Sequence, residues 1–319
     1  MKPALLFIIL LVFSFGIQAQ SKKRLVVAQD GSGEYKTVQA AIDAIPAGNT
    51  TPVEIFIKKG IYKEVVTLPK GKDGVRFKGE DKDGTIITYN NHTGGTLPNG
   101  IPVNTYNSAT FFIYGSDFSA SNLTFVNDAG FDAGQAVAVF ANGDKLKFNN
   151  CSFKGFQDVL FCSGFPSRQY YKDCYIEGTT DFIFGPSTTV FQDCHIHSKK
   201  NSHVTAASTV KEVPYGFVFF DCKLTGDTGL HNVSLGRPWK PYASVTYIRC
   251  DIGEHIIPEG WNNWNNPANE VTARFAEYES RGHGGKPDRR FKWAKQLTKE
   301  EAKQITLPAI FGNWDPLKP

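Results

Sequence analysis

From Asp117 onward the chain alternates polar and apolar positions, and a four-residue phrase keeps returning. It runs polar residue, Leu or Cys, any residue, apolar residue. The copies begin at Asn122, Asn150, Asp173, Asp193, Asp221 and Arg249, at spacings of 28, 23, 20, 28 and 28 residues. Alternation over short runs reads as half-buried strands. A recurring unit of roughly 20–30 residues with Asn and Gly between the strands reads as a solenoid of stacked coils. Helical periodicity is nearly absent here. The pattern therefore predicts an all-β fold, a parallel β-helix in which each coil is one rung and equivalent residues form columns. An antiparallel sandwich has a similar strand density, but it gives no reason for cysteine to recur at one phase of the strands. Stacked rungs do, because each column needs one kind of small apolar filler.

Rungs stack about 4.8 Å apart, so neighbouring column cysteines come within range of a disulfide. Cys174 and Cys194 close the shortest loop and are the expected bridge. The alternative is a column of free buried thiols acting as small hydrophobes. Cys162 lies off the column and is expected to be free.

The ends of the chain read differently. Residues 35–46 carry apolar positions at helical spacing, with Thr37 placed to cap and Pro46 to stop a short helix. Such a helix suits the open end of a solenoid, which must be covered. Residues 53–57 alternate as a strand, and residues 91–107 are polar and turn-rich, a long loop. Thr298 and Glu301 have capping-box spacing and predict a C-terminal helix through Gln304. No linker rich in Gly, Ser or Pro divides the chain.

Aligning two copies of the repeat exposes the candidate chemistry. GFQDVLF at 155–161 lies over GTTDFIF at 178–184 without a gap, and Asp158 and Asp181 each follow their column cysteine by seven residues. In stacked rungs the two carboxylates sit one above the other, about 5 Å apart. Like charges that close raise one pKa, which leaves one acid protonated and one ionised, an acid paired with a base or nucleophile. An aspartate ladder on a solvated face has the same spacing. Two features weigh against that ladder. Gln135 and Gln157 offer amides to a developing oxyanion, although either alone fits a rung hydrogen bond. In LGRPW at 235–239, Arg237 can hold a carboxylate ionised through a forked pair and Trp239 can stack on a sugar face; an ordinary surface turn is the plain reading.

Composition changes the picture in one respect. Lys2, the apolar run at 4–15 and the small residue Ala19 form a secretory signal peptide, with cleavage expected after Ala19. The run is shorter than the roughly 20 residues of a membrane span, and nothing later resembles one. Removing residues 1–19 takes the formal charge from +4 to +3, too little over 300 residues for a nucleic-acid partner. The mature chain, residues 20–319, is expected to be secreted or periplasmic, where cysteines can oxidise. No metal site or cofactor motif stands out; His195 and His197 alternate on a strand as surface residues.

Taken in order, GIYKE (60–64), QAVA (135–138), GFQD (155–158), GTTDFIFG (178–185), LGRPW (235–239) and FAEY (275–278) resemble the pectinesterases, or pectin methylesterases. These are carbohydrate esterases on a single-stranded right-handed parallel β-helix. The resemblance covers nearly the whole mature chain. It implies hydrolysis of galacturonosyl methyl esters in methyl-esterified homogalacturonan (pectin), giving pectate and methanol, in degrading or modifying plant cell walls. It makes Asp181 the nucleophile and Asp158 the general acid and then base. Gln135 and Gln157 become the oxyanion hole, and Arg237 the holder of Asp181. Thr105, Phe161, Phe184 and Trp239, with Gln135 and Arg237, would contact the sugar chain. A monomer without cofactors is implied. Val159 and Phe161 stand where the family usually has Thr and Tyr, Val139–Phe140 where it has Leu–Arg, and Thr180 where it has Val. These departures bear on substrate pattern rather than on the reaction. A glycoside hydrolase on the same fold also accepts carboxylates about 5 Å apart, but it needs no oxyanion hole. A polysaccharide lyase would want calcium carboxylates that the chain lacks. A noncatalytic glycan-binding β-helix would leave the aspartate pair dispensable.

Overall fold

The computed structural model describes residues 23–49 and 51–318; the expected signal peptide and its cleavage point lie outside them. Among these residues the strands form three parallel sheets of eleven, seven and eight strands. The seven coils between Val53 and Pro238 each contribute one strand to each sheet, so successive strands of a sheet are one rung apart there. This is the expected parallel β-helix. The register is in step throughout: Ser152 pairs with Tyr175, Tyr175 with His195, His195 with Lys223 and Lys223 with Asp251.

The recurring phrase is explained by its first residue. Asn122, Asn150, Asp173, Asp193, Asp221 and Arg249 all have φ between 50° and 58°. They turn the chain at the corner between two sheets. Asn and Asp tolerate this left-handed region better than other side chains. Asn150 also donates to Asn122 across the rungs at 2.9 Å, and Arg249 forks onto Asp221 at 2.9 and 2.6 Å. The next residue of each phrase points inward, and Leu123, Cys151, Cys174, Cys194, Cys222 and Cys250 form one buried column. A second interior column stacks Phe148, Tyr171, Phe191, Phe219 and Tyr247, with ring centroids 4.4–5.0 Å apart.

The expected Cys174–Cys194 bridge is not formed; all six cysteines are free. In-register parallel strands point their Cβ atoms the same way at the rung spacing of about 4.8 Å, whereas a disulfide needs about 3.5–4.5 Å. The sulfurs bond to backbone carbonyls instead. Cys174 Sγ reaches Lys172 O at 3.3 Å and Cys194 Sγ reaches Gln192 O at 3.4 Å. Burial pushes the Cys151 and Cys162 thiols up to about 12, which keeps them protonated and unreactive. Six thiols per chain are therefore expected to titrate after denaturation without reductant. Added dithiothreitol should leave the melting temperature within about 1 °C, whereas a native disulfide contributes roughly 2–4 kcal/mol.

The ends are capped as the sequence predicts. The helix Val38–Asp43 begins at Thr37, whose hydroxyl accepts from Ala40 N, and Glu64 accepts from Val38 N and Gln39 N at 2.8 and 3.0 Å. Glu64 of GIYKE is thus a helix cap. At the far end Lys299–Gln304 carries the full Thr298/Glu301 capping box, and a further helix, Leu307–Phe311, follows. Glu277 of FAEY is buried, forked to Arg290 at 2.7 and 3.1 Å, and accepts from Trp261 Nε1. These two motifs hold the solenoid together; neither reaches the candidate site.

Candidate active site

The site lies on the outer face of the seven-stranded sheet. Leu160 pairs with Ile183 and Phe161 with Phe184, which places Asp158 and Asp181 on adjacent rungs two residues earlier. Both aspartates adopt left-handed backbone, with φ of 63° and 50°. The chain bends there, into the start of each short strand, and swings the carboxylates outward. Asp158 N donates to Thr180 O at 3.1 Å and Asp181 N to His203 O at 2.8 Å, so the rung ladder itself fixes both residues. Glycine at 178 answers a packing demand, since a Cβ there would lie 2.3 Å from Phe182 Cβ and 2.6 Å from Phe156 O.

The two carboxyls sit in different company. Arg237 Nε donates to Asp181 Oδ1 at 3.0 Å and Nη2 to Oδ2 at 2.7 Å, a forked pair. Arg237 comes from the strand Ser234–Pro238, beyond His203–Ala207, and Gly236 lets those strands close up; a Cβ at 236 would lie 2.0 Å from Thr205 Oγ1. Asp158 has no such partner. Burial, and then the charge of Asp181, raise its carboxyl well above the usual carboxylate range against the pull of Arg237. Burial also raises Asp181, but the bonds and charge of Arg237 oppose it directly. Of the two, Asp158 is the readier to keep its proton and Asp181 the readier to ionise.

Gln135 and Gln157 pair across adjacent rungs. Among the described residues neither side-chain amide has a protein hydrogen-bond partner, so both are free to donate into the cleft. The cleft is a cavity of about 240 Å³, and Thr105, Tyr106, Phe184, Trp239 and Trp264 line it around the carboxyls. A larger cavity of about 620 Å³ lies against the C-terminal tail near Arg76 and Trp314, lined mainly by charged and polar side chains and away from Asp158 and Asp181. Phe161 sits lower than expected. It is buried, stacked under Phe184 at 4.2 Å and edge-on to Trp239 at 6.3 Å, so it supports the floor rather than lining it. His195 and His197 lie on the eight-stranded sheet, where both bond the Thr225 hydroxyl at 2.7 Å. Among the described residues no cluster of three or more His, Cys, Asp or Glu side chains is arranged to hold a metal ion.

Two site residues escape the sequence reading. Tyr106 covers Phe161 with its centroid 5.6 Å away, and the Trp264 ring lies 3.6 Å from Arg237 Cζ. Both come from loops outside the repeat, where no register marks them. Trp264 lies against the face of the guanidinium, and such a contact contributes roughly 1–2 kcal/mol when desolvated. Trp264→Ala is expected to lower kcat/KM about tenfold with the fold intact, as steady-state kinetics beside a thermal melt would show. An unchanged kcat/KM would remove Trp264 from the group that orients Arg237.

A family model described as pectinesterase matches residues 24–312. Pectinesterase 31 from Arabidopsis thaliana is 40% identical over 284 residues, covering 86% of this chain and 88% of that protein. Among solved structures, the pectin methylesterase from carrot superposes with a TM-score of 0.84 at 34% identity, covering 92% of this chain and 94% of that one. The pectin methylesterase from Erwinia chrysanthemi superposes with a TM-score of 0.83 at 30% identity, covering 94% and 100%. With the solenoid and the paired aspartates already in place, these matches along almost the full described chain establish that it belongs to the pectinesterase family.

Proposed function

We propose that the mature chain, residues 20–319, is exported and hydrolyses methyl esters of galacturonosyl residues in pectin, releasing methanol and leaving pectate in plant cell-wall material. The observation that carries this reading is the unequal aspartate pair. Asp181 is forked to Arg237 and Asp158 is buried without a partner, with two unpaired glutamine amides beside them. Asp181 attacks the ester carbonyl carbon. The carbonyl oxygen becomes an oxyanion, to which the amides of Gln135 and Gln157 donate. Asp158 gives its proton to the methoxy oxygen as the C–O bond breaks and methanol departs. An acyl–Asp181 anhydride remains. Asp158, now a carboxylate, takes a proton from water as that water attacks the anhydride; the acid product leaves, and both aspartates return to their starting states. Trp239, Phe184 and Thr105 hold the sugar chain across the cleft.

Highly methylated pectin incubated with the mature protein tests this reading, with methanol and new reducing ends measured side by side. Methanol without reducing ends is the expected result. Reducing ends without methanol would move the carboxyl pair to glycosidic-bond cleavage, which their one-rung separation also permits.

A further inference from the structure

The outer face of the seven-stranded sheet carries aromatic rings well beyond the aspartates. Phe112, Phe140, Phe161 and Phe184 occupy one in-register row that faces away from the interior core. Phe184 touches Trp239 at 6.0 Å, Phe161 stacks on Phe184 at 4.2 Å, Phe140 meets Phe161 at 4.9 Å and Phe112 meets Phe140 at 5.8 Å. The row ends at Tyr114, the next outward position on the strand Phe111–Ile113, two rungs from Asp158. Its ring lies parallel to Phe112 (5°, 6.3 Å) and tilts onto Phe140 at 5.8 Å.

Tyr114 differs from the rings that carry it. Phe112 and Phe140 are 8% and 6% exposed, whereas Tyr114 is 37% exposed. Among the described residues its hydroxyl has no hydrogen-bond partner. It opens onto a cavity of about 550 Å³ lined also by Thr67, Lys70, Ser116 and Asn142. Lys70 is exposed and forms no ion pair among the described residues. A flat ring fixed from behind by two phenylalanines, with polar groups and an ammonium around it, has the make-up of a sugar platform: an apolar face for C–H groups and a rim for hydroxyls and a carboxylate. The rung spacing of about 4.8 Å is close to the length of one pyranose, so a chain seated at Asp181 and running along the row reaches Tyr114 a few residues away.

We infer that Tyr114 is a distal subsite for the same polymer, stacking on a galacturonosyl ring several residues from the ester being cleaved. The inference rests on the pectin reading above. It makes the enzyme's affinity depend on chain length.

Steady-state methanol release from long methylated homogalacturonan and from methyl trigalacturonate, by wild type, Tyr114→Ala and Tyr114→Trp, tests it. Tyr114→Ala should raise KM for the long chain about three- to tenfold, the cost of one lost stacking contact, with kcat unchanged. The trimer should show no change, and Tyr114→Trp should behave as wild type. Calorimetric binding of long, de-esterified polygalacturonate should weaken by the same factor in Tyr114→Ala. Equal losses on long and short substrates, loss in Tyr114→Trp, or unaltered calorimetric affinity in Tyr114→Ala would each overturn the subsite. The calorimetric arm needs no turnover. A wild type that releases no methanol but binds the polymer through Tyr114 would refute the esterase reading and sustain the subsite.

Discussion

Asp181→Asn is expected to release methanol from pectin at less than about a thousandth of the wild-type rate, the scale of loss when a nucleophile is removed. The amide has nearly the same shape and can still accept from Arg237, so the side chain should stay in place. It cannot form the acyl intermediate, because a neutral amide oxygen does not attack an ester carbonyl. Stability should change far less than activity. Arg237 would lose the counter-charge it now holds at 3.0 and 2.7 Å, but a buried carboxylate whose pKa burial raises would be gone as well, and the two effects oppose each other. The melting temperature should move by no more than a few degrees, with the parallel sheets intact by circular dichroism. Methanol release within tenfold of wild type would exclude Asp181 as the nucleophile.

The pH dependence comes from the same two carboxyls. The proposed mechanism requires Asp181 ionised and Asp158 protonated. The rate therefore rises as pH climbs through the lower macroscopic pKa of the pair and falls as it passes the higher one. Burial raises both groups, Asp158 further, so both limbs of the bell are displaced upward, the alkaline limb more than the acid one. Each limb belongs to the pair, since deprotonating either aspartate changes the field at the other.

Much of this arrangement is legible in the amino-acid order because a solenoid converts linear spacing into stacking. Seven residues from Cys151 to Asp158 and seven from Cys174 to Asp181 become adjacent places on one face once the columns are in step. Gln157 comes with that register as the neighbour of Asp158, whereas Gln135 is picked out as an upstream amide and through the family resemblance. The repeat phrase locates the corners, and its Asn and Asp residues announce the left-handed turns found there. What is not legible comes from outside the repeat. Trp264 reaches Arg237 from a turn whose own backbone is left-handed at φ 61°, and no periodicity predicts that approach. Tyr106 sits in the polar loop 91–107, whose path is set by contacts with distant rungs. The cysteine column fails for a subtler reason: rung spacing brings the sulfurs near one another, but parallel Cβ vectors do not give disulfide geometry. Two of the quoted motifs, GIYKE and FAEY, are structural, with Glu64 capping a helix and Glu277 anchoring Arg290. A motif shared along a fold can mark a brace as readily as a reacting group.

Asp158→Asn separates stability from activity. On the proposed mechanism the proton donor and later base is gone, so methanol release should fall at least about a hundredfold, the typical share of general acid–base catalysis. The folded protein should nevertheless become more stable at neutral pH. Asp158 is 8% exposed with no counter-charge of its own, and its folded pKa is raised above the unfolded value of about 3.9. A carboxyl with a raised folded pKa costs nothing below the unfolded pKa; stability is lost as pH rises from there through the folded pKa. The substituted amide does not titrate and keeps a neutral, hydrogen-bonding side chain in the same space. The melting temperatures of variant and wild type should coincide near pH 3.5 and diverge as pH rises. The gap should reach a few degrees in favour of the variant and flatten once the wild-type carboxyl is ionised. The scale is that of one poorly compensated buried polar group, roughly 1–3 kcal/mol, at about 2 °C or a little less per kcal/mol for a chain of this length. A gap that is constant with pH would mean that Asp158 does not carry the raised pKa. A variant less stable at neutral pH would mean that the carboxylate is held by a partner, and the role of proton donor would have to be sought in another residue. Both arms read the same strain, the burial of an acid next to an ionised one, which this fold sustains because the rung ladder fixes the backbone of Asp158 whatever its charge.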